Sequence, residues 1–476
     1  MKINLSRLLN TRLAVPIVAA VLLIACGAGL QAAISATTDG KATTTTTMEA
    51  KDSLLADWWN GKYMTGNWFG ARDTLADHGV TFKGEYQGVF YGLLSGGKDP
   101  GRGTYDQQLK FGLTIDMEKM AHIQGLSFLT EVRWRQPNSG LMQNPNNFVG
   151  ASGNFQPSHF ESGTQWRWTR LEAKWVSPDQ NVTIVGGRTS PYHYFAQQPL
   201  RKLFINNSIE GSEGLGGNDP WSSSYVAWGG HIQVRPVKPL YAQFGIYQAN
   251  RNFSDSANHG LAWENYNSGT WLIGEAGYET EKNPDLNWLP AKVAFGGFWF
   301  GQSGAPAFLS GTTQQGEYGF YWQYDQMLYR EASPEPKSKT GFNKDTGKKE
   351  VITGDVKPSK QGLYMFNFVE YAPQYNNPLS FYFHSGLVYQ GLIPTRDNDY
   401  LMTAFGYGNY SSQLATATAA SGGAPKSYEA VWEVDYRLFI NGWSWVQPYS
   451  QYIIRPNGTG AVQNAWVIGF SVGATF

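Results

Sequence analysis

Carboxylates recur at strand-like spacing in this chain, Glu275 with Glu279 and Glu429 with Glu433. Two carboxylates at a fixed separation are what glycosidic-bond hydrolysis needs. Here the acids sit among cations in alternating runs, and a polar lining accounts for them equally well. The seven His residues never form a metal-ligand pattern such as His-Glu-x-x-His. No complete Walker-type phosphate loop is present, and Lys339-Thr340-Gly341, a triplet known from penicillin-binding enzymes, lies in a Lys-rich stretch. The sequence therefore gives no catalytic residue, no metal site and no cofactor, and it is not read as an enzyme. What remains is mixed-sign charge at every second residue: Glu131, Arg133 and Arg135; Arg170, Glu172 and Lys174; Glu433, Asp435 and Arg437. Lys83 with Glu85, Lys110 and Glu275 follow the same parity.

Side chains two apart share one face of a strand, so strands must position these groups. Composition agrees. Only 16% of the 476 residues are charged and 15% are aromatic, with 55 Gly, against about 25% charged in a typical soluble domain. Mean hydropathy is −0.38, which excludes a protein of many helical spans. Lys+Arg and Asp+Glu balance at 37 each, which argues against a nucleic-acid partner. The single cysteine, Cys26, follows the basic lead of Lys2, Arg7 and Arg12 and lies in the apolar run Ala14 to Ala33. Residues 1–33 read as a secretory signal peptide, with a lipoprotein cleavage box at Leu23–Cys26 as the alternative. Removing the leader deletes three positive charges and no negative ones, leaving about three units of net negative charge.

Residues 34–64 read as a flexible polar linker and residues 65–80 as a short helix, with Gly79 suited to the C-terminal cap. From residue 81 to 476 the period is two. Leu109, Phe111, Leu113 and Ile115 share one face, opposite Lys110, Thr114 and Asp116. Trp466, Ile468, Phe470, Val472 and Phe476 share another. About sixteen segments of about ten residues, aromatics near their ends and an export signal predict a closed antiparallel transmembrane β-barrel. Such a barrel satisfies every backbone group internally. An even count alternates long connections (Pro137–Gly163, Ser190–Ser223, Asn250–Ser268) with short ones (Ser177–Gln180, Val237–Pro239, Asn441–Gly442). Ala332–Ser359 is long and Lys-rich, yet parity puts it at the short-turn end; either the count slips there or the barrel carries an insertion.

Several stretches resemble the carbohydrate-selective porins of the OprB type, from about Gly66 to Phe476. They are Gly66-Asn67-Trp68-Phe69-Gly70-Ala71-Arg72 with Leu75 and Gly79, then Asp116 to Lys119, Asp325 to Arg330, Gly391 to Asp399, and above all Gln447 to Asn457. In Gly391 to Asp399 an extra Asn398 interrupts the family's turn pattern. The resemblance implies a sixteen-stranded diffusion channel in the bacterial outer membrane, with sugars such as glucose as permeants and long loops folded inward. Independently of the resemblance, Phe476, an aromatic ending an alternating final strand, reads as a tag for the barrel-assembly machinery. A homo-oligomer stays open.

A sugar channel needs hydroxyl donors and acceptors at intervals, rings for sugar faces, and no tight binding. The expected lining is Lys83, Glu85, Lys110, Glu131, Arg133, Arg135, Arg170, Glu172, Glu433, Asp435 and Arg437. The expected constriction loop is 190–223, with Tyr192, Tyr194, Phe195, Asn218, Asp219 and Trp221. The alternative is a general or anion-selective porin without a sugar site, which Arg133, Arg135, Arg167, Arg170 and Arg188 leave open.

Overall fold

The structure, a computed structural model, describes residues 55–137, 148–158, 160, 165–211, 215, 221–261, 269–282, 288–332, 339–342, 349–352 and 358–476. The expected signal peptide, residues 34–54 of the expected linker, and Asn218 and Asp219 lie outside them.

Eighteen strands are seen among the described residues. The first ten are β1 (Val80–Gly97), β2 (Gly103–Asp116), β3 (Leu126–Pro137), β4 (Gln165–Val176), β5 (Val182–Thr189), β6 (Ala227–Val234), β7 (Leu240–Ala249), β8 (Gly269–Glu279), β9 (Ala291–Pro306) and β10 (Thr313–Arg330). A small hairpin follows, β11 (Lys339–Phe342) with β12 (Lys349–Ile352). Then come β13 (Gly362–Tyr371), β14 (Leu379–Gln390), β15 (Tyr400–Tyr410), β16 (Tyr428–Phe439), β17 (Ser444–Ile454) and β18 (Gln463–Thr475). All but the hairpin form one closed antiparallel barrel of sixteen strands, each paired to its chain neighbour. β10 pairs directly with β13, so the hairpin stands outside the wall. The parity conflict is thereby resolved: the strand count holds, and the insertion between β10 and β13 is at the short-turn end.

β1 and β18 close the barrel, in register from Glu85 with Thr475 to Gly97 with Gln463. Helix α1 (Ala71–Asp77) lies beside this seam. Its buried Arg72 donates through Nη2 to Phe82 O and Phe476 O, 2.7 Å each, and its guanidinium stands 3.4 Å from the Tyr63 ring centroid. Residues 55–64, the end of the expected linker, are structured. The Met64 N–H donates to Thr475 O at 2.7 Å, and the Trp58 ring lies 5.1 Å from that of Trp443. Helical periodicity nearly disappears from the sequence past Gly79, yet short helices occur there. Two short ones are set by local caps: Asp116 accepts from the amides of Glu118 and Lys119 to start α2 (Met117–Ala121), and Ser411 caps α4 (Ser412–Ala420). A third, α3 (Asn207–Gly211), lies within the β5–β6 loop.

The outer face carries exposed rings, among them Phe111, Phe128, Trp175, Phe244, Trp432, Trp466 and Phe470. That is the apolar band a membrane-spanning barrel requires. The interior departs from a uniformly polar lumen. Inward residues Val89, Tyr91, Trp271, Phe298, Phe366, Phe368 and Tyr382 form an apolar cluster with loop residues Phe148, Phe155, Phe195, Phe204, Ile205 and Ile209. The barrel thus has a packed core, to which strands and inward loops both contribute.

Candidate functional site

The β5–β6 loop enters the lumen and is hydrogen-bonded to wall residues from β3 to β17. Ser190 begins it; its hydroxyl accepts from the Tyr192 amide at 3.2 Å and donates to Ser222 O at 2.9 Å, pinning the loop's two ends together. A loop buried in a barrel must find partners for its backbone. Wall carboxylates supply them. Glu275 accepts from the Ala196 amide at 2.8 Å, and also from the Tyr321 and Tyr241 hydroxyls and Gln243 Nε2. The two oxygens of Glu433 accept from the amides of Ile205 (2.7 Å) and Asn206 (2.8 Å). Arg437 Nη2 and Gln447 Nε2 both donate to Leu203 O at 2.9 Å. Lys292 Nζ donates to Gln197 O at 3.0 Å, and Gln198 Nε2 to Asp325 Oδ1 at 3.2 Å. The wall thins to glycine where the loop docks. A Cβ at Gly245 would lie 3.1 Å from the Phe195 ring, and one at Gly406 would lie 2.9 Å from Ser208 Oγ.

The base of the loop is held from β3 and β4. Arg133 Nη1 donates to Ser223 Oγ at 2.6 Å and its Nη2 to Ser224 Oγ. Arg167 donates to four carbonyls, those of Ser224, Phe253, Ser254 and Asp255. The register between β3 and β4 shifts between Glu131 and Val132, opposite Thr169. Such a bulge re-aims side chains, and here Arg167 and Arg170 both turn inward. Glu131 then accepts from the Thr169 hydroxyl at 2.6 Å.

The expected lining residues thus divide. Arg133, Arg135, Glu172, Glu433 and Asp435 are buried in contacts with the wall and the loops. Arg135 Nε donates to Gln108 Oε1 at 2.6 Å, with its guanidinium 5.5 Å from the Phe160 ring. Asp435 accepts from Gln447 Nε2 at 2.9 Å. Arg167 and Arg188 are also buried; Arg188 donates to Val226 O and Gly260 O, so both act as carbonyl clasps. The residues still facing open space lie on the β1–β4 wall: Lys83 (68% exposed) ion-paired at 2.5 Å to Glu85 (41%), together with half-buried Lys110, Glu131 and Arg170. Arg170 is ion-paired to Glu172 and donates to the Tyr194 hydroxyl at 2.6 Å, and that hydroxyl donates in turn to Glu172. Of the expected loop rings, Phe195 and Trp221 point into the core, while Tyr192 and Tyr194 are half-buried. Alternation tells inside from outside, but not whether the inside is water or another segment.

Lys202 and Gln197 were not singled out from the sequence, though Arg201-Lys202 is the basic pair of a ring-rich loop. Lys202 Nζ donates to Gln197 Oε1 at 2.7 Å and stands 5.2 Å from the Tyr192 ring. Burial pulls the Lys202 ammonium down to about 8, with Arg201, Lys110 and Arg170 adding and Glu210 opposing. Burial keeps His193 well below its usual range, and Arg170, Lys202, Lys110 and Arg133 all push the same way.

Residues 102–476 match the family described as carbohydrate-selective porin, OprB family. Porin B of Pseudomonas aeruginosa is 24% identical over 456 residues, covering 88% of this chain and 92% of that one. A putative porin, QuiX, of Acinetobacter baylyi is 23% identical over 456 residues, covering 89% and 96%. Among solved structures, OprB of Pseudomonas putida at high pH has the same fold, with a TM-score of 0.75, 20% identity and coverage of 88% and 99%.

Proposed function

The chain belongs to the OprB family of carbohydrate-selective porins, and we propose that it carries sugars such as glucose by passive diffusion along the passage between the inward loop and the β1–β4 wall. It is an outer-membrane porin and not an enzyme. The observation that carries the sugar reading is the clamped loop. The loop is held inside the barrel at Glu275 and Glu433, while Lys83, Glu85, Lys110, Glu131 and Arg170 of β1–β4 stay exposed or half-buried. Sugars are neutral and dense in hydroxyls. Lys83, Lys110 and Arg170 offer donors, Glu85 and Glu131 offer acceptors, and Tyr192 and Tyr194 offer rings. Spread along a path, such groups bind weakly enough to release. The proposal includes export by the 1–33 leader, recognition of Phe476 by the barrel-assembly machinery, and assembly as a homo-oligomer or a monomer.

The test is conductance in a planar bilayer while glucose, a disaccharide and a neutral non-sugar of similar size are titrated. Saturable block by the sugars alone is expected. Current indifferent to all three makes the protein a general porin.

A further inference from the structure

Trp68, Phe69 and Gly70, just ahead of α1, have φ angles of 49°, 56° and 91°. That left-handed region suits the glycine, but for two bulky aromatics it is strained. The turn is held in place nonetheless. Asn67 O accepts from the amides of Gly70 (2.9 Å) and Arg72 (3.3 Å), Trp68 Nε1 donates to Thr65 Oγ1 at 3.2 Å, and the Arg72 guanidinium stands 4.9 Å from the Trp68 ring. Arg72 is itself fixed to the barrel seam. What the turn presents is Phe69, 94% exposed and so the most exposed large apolar side chain among the described residues. A strained backbone and a ring in water are both costs, and at that exposure the chain itself offers almost nothing to offset them. The adjacent ring leads to what does. Trp68 lies 5.8 Å from Phe82, Phe82 lies 6.0 Å from Phe111, and Phe111 lies 6.4 Å from the terminal Phe476. Phe82 has the parity opposite to lumen-facing Lys83, and Phe111 belongs to the outer apolar band. A continuous row of rings therefore joins the lipid-facing side of β1 and β2 to this turn.

We propose that the Trp68–Phe69 turn is a lipid anchor, seated among the phospholipid headgroups at the short-turn end of the barrel. Aromatic rings gather at that level because it is apolar on one side and wet on the other. The turn extends the aromatic belt beyond the strands. Through Arg72 it ties the N-terminal helix, the seam and the membrane surface together at one point. The anchor is independent of what the channel carries.

The sole cysteine is Cys26, so a bimane probe can be placed at Phe69→Cys in a Cys26→Ser background. Ser310→Cys, on the exposed β9–β10 turn at the opposite end of the barrel, is the reference. Both proteins are refolded into phosphatidylcholine vesicles with and without a nitroxide on the lipid headgroup, and iodide is the quencher in water. The Phe69 probe should be quenched several-fold more by the nitroxide lipid than the Ser310 probe, and several-fold less by iodide. Phe69→Asn removes the ring but keeps a residue that tolerates the left-handed backbone. It should lower the temperature of the heat-modifiable shift in those vesicles, and Phe69→Trp should keep it. Equal iodide quenching at the two positions overturns the proposal. A Phe69 probe shielded from iodide yet untouched by the nitroxide lipid also overturns it, because protein would then cover the turn. So does a Phe69→Asn transition at or above that of wild type, which is the result if the ring only adds strain. If Phe69→Asn fails to fold, the probe measurement decides.

Discussion

Glu433 illustrates what a single residue does here. It faces inward, as its parity requires, and there meets the loop amides of Ile205 and Asn206 rather than solvent. In Glu433→Gln one of those two N–H groups faces an amide NH2 instead of an oxygen. An unsatisfied buried donor costs about 1–3 kcal/mol. The variant should therefore unfold at lower temperature in detergent and give larger, noisier conductance; a wild-type melting curve and trace would count against the clamp. Lys202 makes a second prediction. With its pKa lowered to about 8, it is an ammonium below that pH and a neutral amine above it. Between about pH 7 and about pH 9 its charge is lost while unperturbed lysines, near 10.4, keep theirs. Anion preference, read as reversal potential in a KCl gradient, should fall across that window in wild type and stay flat in Lys202→Gln. A flat wild-type profile contradicts the placement of Lys202 at the passage.

At the scale of elements, the barrel wall and the pieces outside it make different predictions. β10 and β13 pair from Phe320 with Tyr371 to Arg330 with Gly362 without help from the β11–β12 hairpin. Excising residues 333–357 and rejoining the chain should leave conductance and sugar block unchanged. A changed conductance would mean the insertion reaches the mouth of the pore. The β5–β6 loop is the opposite case, since wall residues from β4 to β17 hold it. The strands were legible because period-two alternation is long and repeated: Leu109, Phe111, Leu113 and Ile115 fall within β2, and Trp466, Ile468, Phe470 and Val472 within β18. The inner role of the loop was legible only as a ring-rich stretch of unusual length. Which wall groups it would consume was not, because those contacts join residues such as Asn206 and Glu433, more than two hundred positions apart.

On the whole-molecule scale the barrel has one seam, where its first and last strands meet. Arg72 bridges β1 and the terminal residue through Phe82 O and Phe476 O, and the Phe476 amide donates to Gly84 O at 2.8 Å. Hydrogen bonds to a charged donor contribute about 1.5–3 kcal/mol each. Arg72→Ala should lower the temperature of the heat-modifiable shift on gels and slow closure during refolding, with pore properties retained. A wild-type transition temperature would show that the seam does not need this bridge. The family, the membrane and the closed barrel were readable from alternation and a few stretches such as Gln447 to Asn457. The interior apolar cluster was not, because alternation does not say what covers inward residues such as Val89, Tyr91 and Trp271.

The central claim is that the clamped β5–β6 loop makes a wide barrel into a narrow, sugar-recognising passage. The most direct measurement is single-channel conductance, with glucose titration, of wild type against a chain whose residues 196–209 are replaced by a Gly-Ser linker of equal length. Conductance that rises several-fold with sugar block abolished is the predicted result. Conductance and block equal to wild type, in a barrel that still migrates as folded, would contradict the account.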